Sequence, residues 1–289
     1  MAFAAAALLM ASVAPGSTEP GTRSAKLTEP ADEAQCYRAK FRVVLDVGHS
    51  AESPGATSAR GVPEYEFNLS ASRWIERALN VAGFDRTVRL ITSGPARPSL
   101  YDRVAQANSL SADLFLSIHH DSVPQWFKQG WEHDGNKLQY SDRFKGHSIF
   151  VSHDHRNYRG SLAFARLLGL KLKGGGLHYT PHYTYAEMRG RRRQLVDKEA
   201  GVYRFDRLVV LRTTRMPAVL FEVASIVNRD EELKAADPER LALVAAAVTR
   251  AVEQFCAASA PKGIARGKKT RPLRTATPRA KSPARAALQ

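Results

Sequence analysis

The chain has 289 residues, 44% of them hydrophobic and 25% charged, enough apolar content to bury a core and too much for a disordered or collagen-like polymer. No run of roughly 18 unbroken apolar residues, the length of a helical membrane span, occurs in it. The net charge of +15 is unevenly placed: nine Lys or Arg and no Asp or Glu fall within residues 260–289, which leaves +6 on the rest.

Residues 1–14 form an apolar stretch ending in small side chains, the pattern of the core and cleavage region of a secretory signal. Against this, no Lys or Arg precedes Arg23, and Pro15 would block cleavage after Ala14; the alternative is a short leader in a cytoplasmic protein. Residues 15–38 are rich in Pro, Gly, Ser, Thr and Glu without an apolar period, so 1–38 is assigned as a signal-like segment and linker.

From Phe41 the pattern alternates between strand and helix, which predicts a single three-layer α/β/α domain over 39–258 with a twisted, mostly parallel sheet. Residues 42–47 form a β-branched run stopped by Gly48, a buried strand. Residues 67–82 carry Phe67, Ala71, Trp74, Ile75, Ala78 and Ala82 at helical spacing, with Gly83 as the stop. Strands are predicted at 88–92, 113–119, 148–152 and 217–223, and helices at 100–110 and 161–172. Asp237-Pro238 opens a last helix that runs to Cys256, with a cap residue and a first-turn proline.

Two segments break this rhythm. Residues 122–146 place Trp126, Phe127 and Trp131 among polar residues, and 177–203 are rich in His, Tyr and Arg. Loops of this length serve as lids or binding walls, or are surface excursions with their own aromatic cluster. Cys36 lies just outside the first strand and Cys256 near the end of the last helix, either as one disulfide in an exported protein or as two buried thiols.

Four polar residues stand where strands end or a helix begins: His49, Glu64, His119 and Glu222. In open α/β sheets the ligand crevice lies outside the carboxyl ends of the strands, so these four can converge. Two imidazoles and one carboxylate make a zinc set with an open fourth position, and a second carboxylate is then free to act as a base. Each residue has a plainer reading as well. A His after a strand is commonly solvated, a Glu before a helix favours the positive helix end, and Glu222 is then a buried carboxylate paired with an Arg such as Arg212.

The motifs decide between these readings. Val44-Leu45-Asp46-Val47-Gly48-His49 resembles the first metal-ligand motif of the zinc-dependent N-acetylmuramoyl-L-alanine amidases, and Glu64-Tyr65-Glu66-Phe67-Asn68-Leu69 is similar to the second. Residues 103–108 with 112–121 resemble the third, and 216–222 with 225–228 the fourth. All four occur in the family's order. The chain departs from it at Val47, where the family has Pro, at Ser50, where it has Gly, and over 223–226.

The resemblance implies one Zn2+ held by His49, Glu64 and His119, with Glu222 catalytic and Glu66 the rival to Glu64. It implies hydrolysis of the amide between the N-acetylmuramic acid lactyl group and L-alanine of peptidoglycan, in the periplasm or after secretion, with a protein activator as a further candidate partner. The alternative is a catalytically silent peptidoglycan-binding or amidase-activating protein on the same scaffold. Some members are held inactive by a helix inserted after the strand corresponding to 148–152, and none is expected here. The tail at 259–289 has too few apolar residues to fold; its charge suits anionic wall polymers or a membrane surface. Nucleic acid is disfavoured because no aromatic residue is interleaved for base stacking.

Overall fold

The computed structural model describes residues 36–259. The signal-like leader, all but the end of the linker, and the basic tail lie outside the described residues. In chain order the main elements are β1 (Val43–Val47), α1 (Glu64–Val81), β2 (Val88–Leu90), α2 (Ala96–Ser109), β3 (Leu114–Asp121), β4 (Gln129–His133), β5 (Asn136–Tyr140) and β6 (Ser148–Val151). There follow α3 (Tyr158–Gly174), β7 (Leu195–Asp197), β8 (Val202–Arg204), α4 (Val209–Thr213), β9 (Ala218–Ser225), α5 (Arg229–Ala236) and α6 (Pro238–Ser259).

Seven strands form one sheet in the order β2-β1-β3-β9-β6-β8-β7. The centre, from β2 to β9, is parallel, whereas β6 runs antiparallel to β9 and β7 antiparallel to β8. The central strands are buried on both sides, so they appear in the sequence as continuous apolar runs instead of alternating ones. Alternate residues then feed two separate cores. Val43, Leu45, Leu116 and Phe221 pack with α1, α3 and α6 on one side, while Val44, Phe115, Phe150 and Leu220 face α2 and α4 on the other.

Helix α6 shows why the first side is well covered. Asp237 accepts a hydrogen bond from the Glu239 amide at 2.7 Å, and Pro238 occupies the first helical position, where its missing donor is harmless. Leu241, Val244, Val248, Val252 and Phe255 then line one stripe against α1 and α3. The helix is long and apolar enough to cross a membrane, but this buried stripe makes it the core helix of the domain. Its last turn carries Cys256, which is disulfide-bonded to Cys36 with 5.2 Å between their Cα atoms. The open choice between a bond and two thiols is thereby settled as a bond.

The two long segments are more ordered than the sequence suggested. Residues 122–146 contain the β4–β5 hairpin, closed by Asp134-Gly135 with φ 48° and 74°. That is the left-handed pair of a two-residue hairpin turn. Residues 177–203 supply β7 and the start of β8, which extend the sheet beyond β6, together with short 3-10 turns at His182–Thr184 and Ala186–Arg191. Helices α4 and α5 were likewise not anticipated.

Candidate metal centre and active site

Strands β3 and β9 pair so that His119 lies beside Glu222 and Ser117 beside Leu220. All four side chains therefore stand on the α2/α4 side of the sheet, the more thinly covered one. The ladder from β1 continues for one residue, with the Gly48 amide donating to the Ile118 carbonyl at 2.9 Å. His49 then takes φ 68°, a left-handed conformation uncommon for a residue with a side chain.

Arg103 of α2 holds that turn. Its buried guanidinium donates to Asp46 Oδ1 at 2.7 Å and to the carbonyls of Val47 and His49. Asp46 in turn accepts from Ser117 Oγ at 2.6 Å. Ser50, a departure from the family pattern, is accommodated by donating to the Gly94 carbonyl at 2.8 Å. Space around the turn is limiting. A Cβ on Gly48 would lie 2.5 Å from the His119 ring, and one on Gly55 would lie 2.5 Å from Glu64 Oε2 and 2.6 Å from His49 Cδ2.

Glu64 begins α1, where the helix terminus favours an anion. Its Oε1 lies 3.1 Å from His49 Nε2 and 3.0 Å from His119 Nδ1. Its Oε2 accepts from the Ala56 amide at 3.0 Å. Burial alone would raise this carboxyl, but the hydrogen bonds from His119 and His49 outweigh it and hold the group well below the usual carboxylate range. Potential ligand atoms of His49, Glu64 and His119 all lie within 4.8 Å of one another. Two imidazoles and a carboxylate so gathered fit a divalent ion in both donor type and spacing. Glu66, the rival, is exposed and outside the cluster.

The support behind the cluster is polar and buried. Asn68 donates to the Gly48 carbonyl at 3.1 Å and meets His120 Nδ1 at 2.8 Å. Burial pulls the His120 imidazole down to about 3, so it is neutral. Glu222 has an oxygen, Oε2, that is buried without a partner. Among the described residues it forms no ion pair with Arg212 or any other cation, so the expected alternative pairing with Arg212 is not found. Burial and the nearby charges of Asp121 and Glu64 raise its pKa well above the ordinary value.

Residues 43–254 match the Amidase_3 family, N-acetylmuramoyl-L-alanine amidase. The chain belongs to the N-acetylmuramoyl-L-alanine amidase family. The amidase domain is 40% identical over 79 residues to N-acetylmuramoyl-L-alanine amidase AmiA of Escherichia coli K12, a stretch covering 27% of each chain. It is 28% identical over 189 residues to the endolysin of Bacillus phage SPP1, covering 65% of this chain and 56% of that one. The chain thus spans about half or less of the length of these curated relatives. Its fold is shared with Ami1 of Mycobacterium smegmatis at TM-score 0.57 and 20% identity, over 76% of this chain and 98% of that one.

Three features of the amidase domain escaped the sequence reading. Asp121 Oδ1 accepts from the Tyr183 hydroxyl at 2.8 Å, and burial brings this carboxyl up to about 7. Tyr183 comes from the 177–203 segment, whose sequence signal is its density of His, Tyr and Arg. A cavity of about 210 Å³ runs between α2 and α4 beside His49 and His119, with Leu100, Leu208 and Val210 in its walls. Finally, several histidines outside the cluster, His147, His155 and His182, are buried, and both ring nitrogens of His147 lack a partner. None of them joins the His49–Glu64–His119 cluster.

Proposed function

We propose that this protein is a zinc hydrolase that cuts the amide between the lactyl group of N-acetylmuramic acid and the L-alanine opening the peptidoglycan stem peptide. One observation carries the reading: Glu222, a carboxylate with a buried unpartnered oxygen, pairs in register with His119, whose ring shares Glu64 with His49.

His49, Glu64 and His119 would hold the ion, and zinc suits such a set with a fourth position open. When bound, it supplies Lewis acidity, polarising the amide carbonyl and lowering the pKa of a water to about 7. Glu222 takes a proton from the attacking water and passes it to the departing amine. The C–N bond breaks to leave a free lactyl carboxylate and a stem peptide with a free amino terminus. Arg103 and Asn68 touch no reacting atom in this scheme; they position His49 and the Gly48 turn.

A catalytically silent wall-binding or activating protein has no use for an unpaired buried carboxylate, whose desolvation is costly. The same protein is proposed to act outside the cytoplasm, in the periplasm or after secretion, a reading supported by the Cys36–Cys256 disulfide. The test is Glu222→Gln: zinc content should match the parent while digestion of purified sacculi, followed by mass spectrometry of the released fragments, falls to background. Cleavage at the parent rate would rule out the role given to Glu222.

A further inference from the structure

The cavity beside His49 and His119 does not end in an apolar wall. Arg207, which precedes α4, lines it and also lines a second, open cavity of about 440 Å³ with Arg192, Arg193 and Arg204. The two cavities therefore share Arg207 as a lining residue. Arg192 and Arg193 border a further open cavity of about 470 Å³.

The charges in this groove are not balanced by the protein. Its one carboxylate, Asp206, pairs with Arg204 at 2.6 Å and also accepts from the His153 amide at 2.7 Å. Among the described residues, Arg192, Arg193 and Arg207 form no salt bridge. Arg193 is instead held by stacking, its guanidinium 3.8 Å from the Phe205 ring centroid, and by donating to the Gly190 and Arg192 carbonyls. Its Nε is buried and unpartnered. Burial and the like charges of Arg191 and Arg207 pull this guanidinium below its ordinary pKa, while Tyr183 acts in the opposite sense. Guanidinia crowded in this way repel one another and favour a bound anion, and their planar forks match a carboxylate.

Building on the amidase reading, we propose that this groove receives the free carboxylates of the stem peptide, with Arg207 nearest the metal cluster and Arg192 and Arg193 beyond it. A second residue joined through its γ-carboxyl leaves an α-carboxylate one residue past the scissile amide. That is about 7 Å of extended chain from the reacting carbon, and Arg207 lines the same cavity as His49 and His119. The groove then makes the enzyme select stem peptides whose α-carboxylate is free over those in which it is amidated.

The test measures binding and turnover separately, using the full zinc-loaded protein. Binding is read with the dipeptides L-Ala-D-Glu and L-Ala-D-isoglutamine, and turnover with the corresponding N-acetylmuramoyl dipeptides. Wild type should bind the free acid at least tenfold more tightly than the amide and show the same preference in kcat/KM. The double variant Arg192→Gln, Arg207→Gln alters two exposed side chains outside any ion pair. It should lose that preference through KM, with kcat, zinc content and thermal midpoint unchanged. Equal binding of acid and amide by wild type overturns the proposal, as does a preference that survives in the variant. Competition by inorganic phosphate with no acid–amide preference would assign the groove to a phosphate-rich polymer and overturn it as well. Preferential binding of the acid without cleavage of any muramoyl substrate would sink the amidase reading and leave the groove assignment standing.

Discussion

The Arg103 guanidinium donates to the carbonyl of His49, a residue in left-handed backbone, and so fastens one wall of the metal cluster to a helix 54 positions away in sequence. The same side chain neutralises Asp46, and the two are almost wholly buried. A lysine cannot reproduce this fork. Arg103→Gln leaves Asp46 as an uncompensated buried charge, with an expected cost of about 3–5 kcal/mol. Urea unfolding should show that loss. Arg103→Lys should stay folded and bind zinc at least tenfold more weakly, measured by competition with a chromophoric chelator. Parent-like affinity would remove Arg103 from its positioning role.

Gly48 makes the complementary case, through space. With any Cβ there only 2.5 Å from the His119 ring, Gly48→Ala must displace that imidazole or the turn itself. The expected outcome is a folded protein with strongly reduced zinc content and no sacculus digestion. Normal zinc stoichiometry in this variant would show that the turn relaxes without moving its histidine.

Buried histidines set the acid limit of stability. Burial holds His147 down to about 3 and His182 down to about 4, whereas an unfolded imidazole titrates near 6.5. Each is a depressed group, so the stability it contributes is present above pH 6.5 and lost as the pH falls towards its folded value. The slope is about 1.4 kcal/mol per pH unit for each histidine. His120, held down to about 3, adds to this decline, while Asp121, raised to about 7, and Glu222, raised well above its ordinary value, work in the opposite direction. Denaturant midpoints of the metal-free protein at pH 7, 6 and 5 should therefore fall, and His147→Gln should flatten the decline by close to one proton. An unchanged slope would mean that His147 is protonated in the folded state.

The Cys36–Cys256 bond closes a loop with a sequence separation of 220 residues. In the chain-entropy account, bridges over loops this long stabilise by up to about 5 kcal/mol, with typical measured values of ~2–4 kcal/mol. Replacing both cysteines with serine should lower the melting temperature by several degrees while leaving turnover at 25 °C unchanged, since neither residue touches the cluster. Equal melting temperatures would show that the bond adds no stability.

Legibility in the sequence followed the physics of each element. β1, β3, β9, α1 and α6 were readable because each buries a long apolar run or stripe. The gathering of His49, Glu64 and His119, with Glu222 in register beside His119, was legible because each of the four sits in a motif next to such an element. The β4–β5 hairpin was missed despite His133-Asp134-Gly135-Asn136, a strong two-residue turn signal. Its strands carry only Trp131, His133, Leu138 and Tyr140 on the inner side, half-buried among polar neighbours. β7 and β8, at three residues each, are too short to show a period. The Tyr183–Asp121 contact spans 62 positions, and no local pattern encodes it. The arginines at 189–193 were visible as composition, but their lack of carboxylate partners appears only in three dimensions.

The reversed direction of β6 has a consequence for how such enzymes diversify. Because β6 runs against β9, the chain entering β6 and the chain leaving β9 emerge at the same end of the sheet, and both border the crevice. The hairpin segment arrives there and α5 departs there; Trp131 of the hairpin donates to the Ala59 carbonyl, in the stretch between His49 and Glu64. Insertions or deletions at that end of the sheet reshape the rim of the crevice without shifting a single strand of its floor.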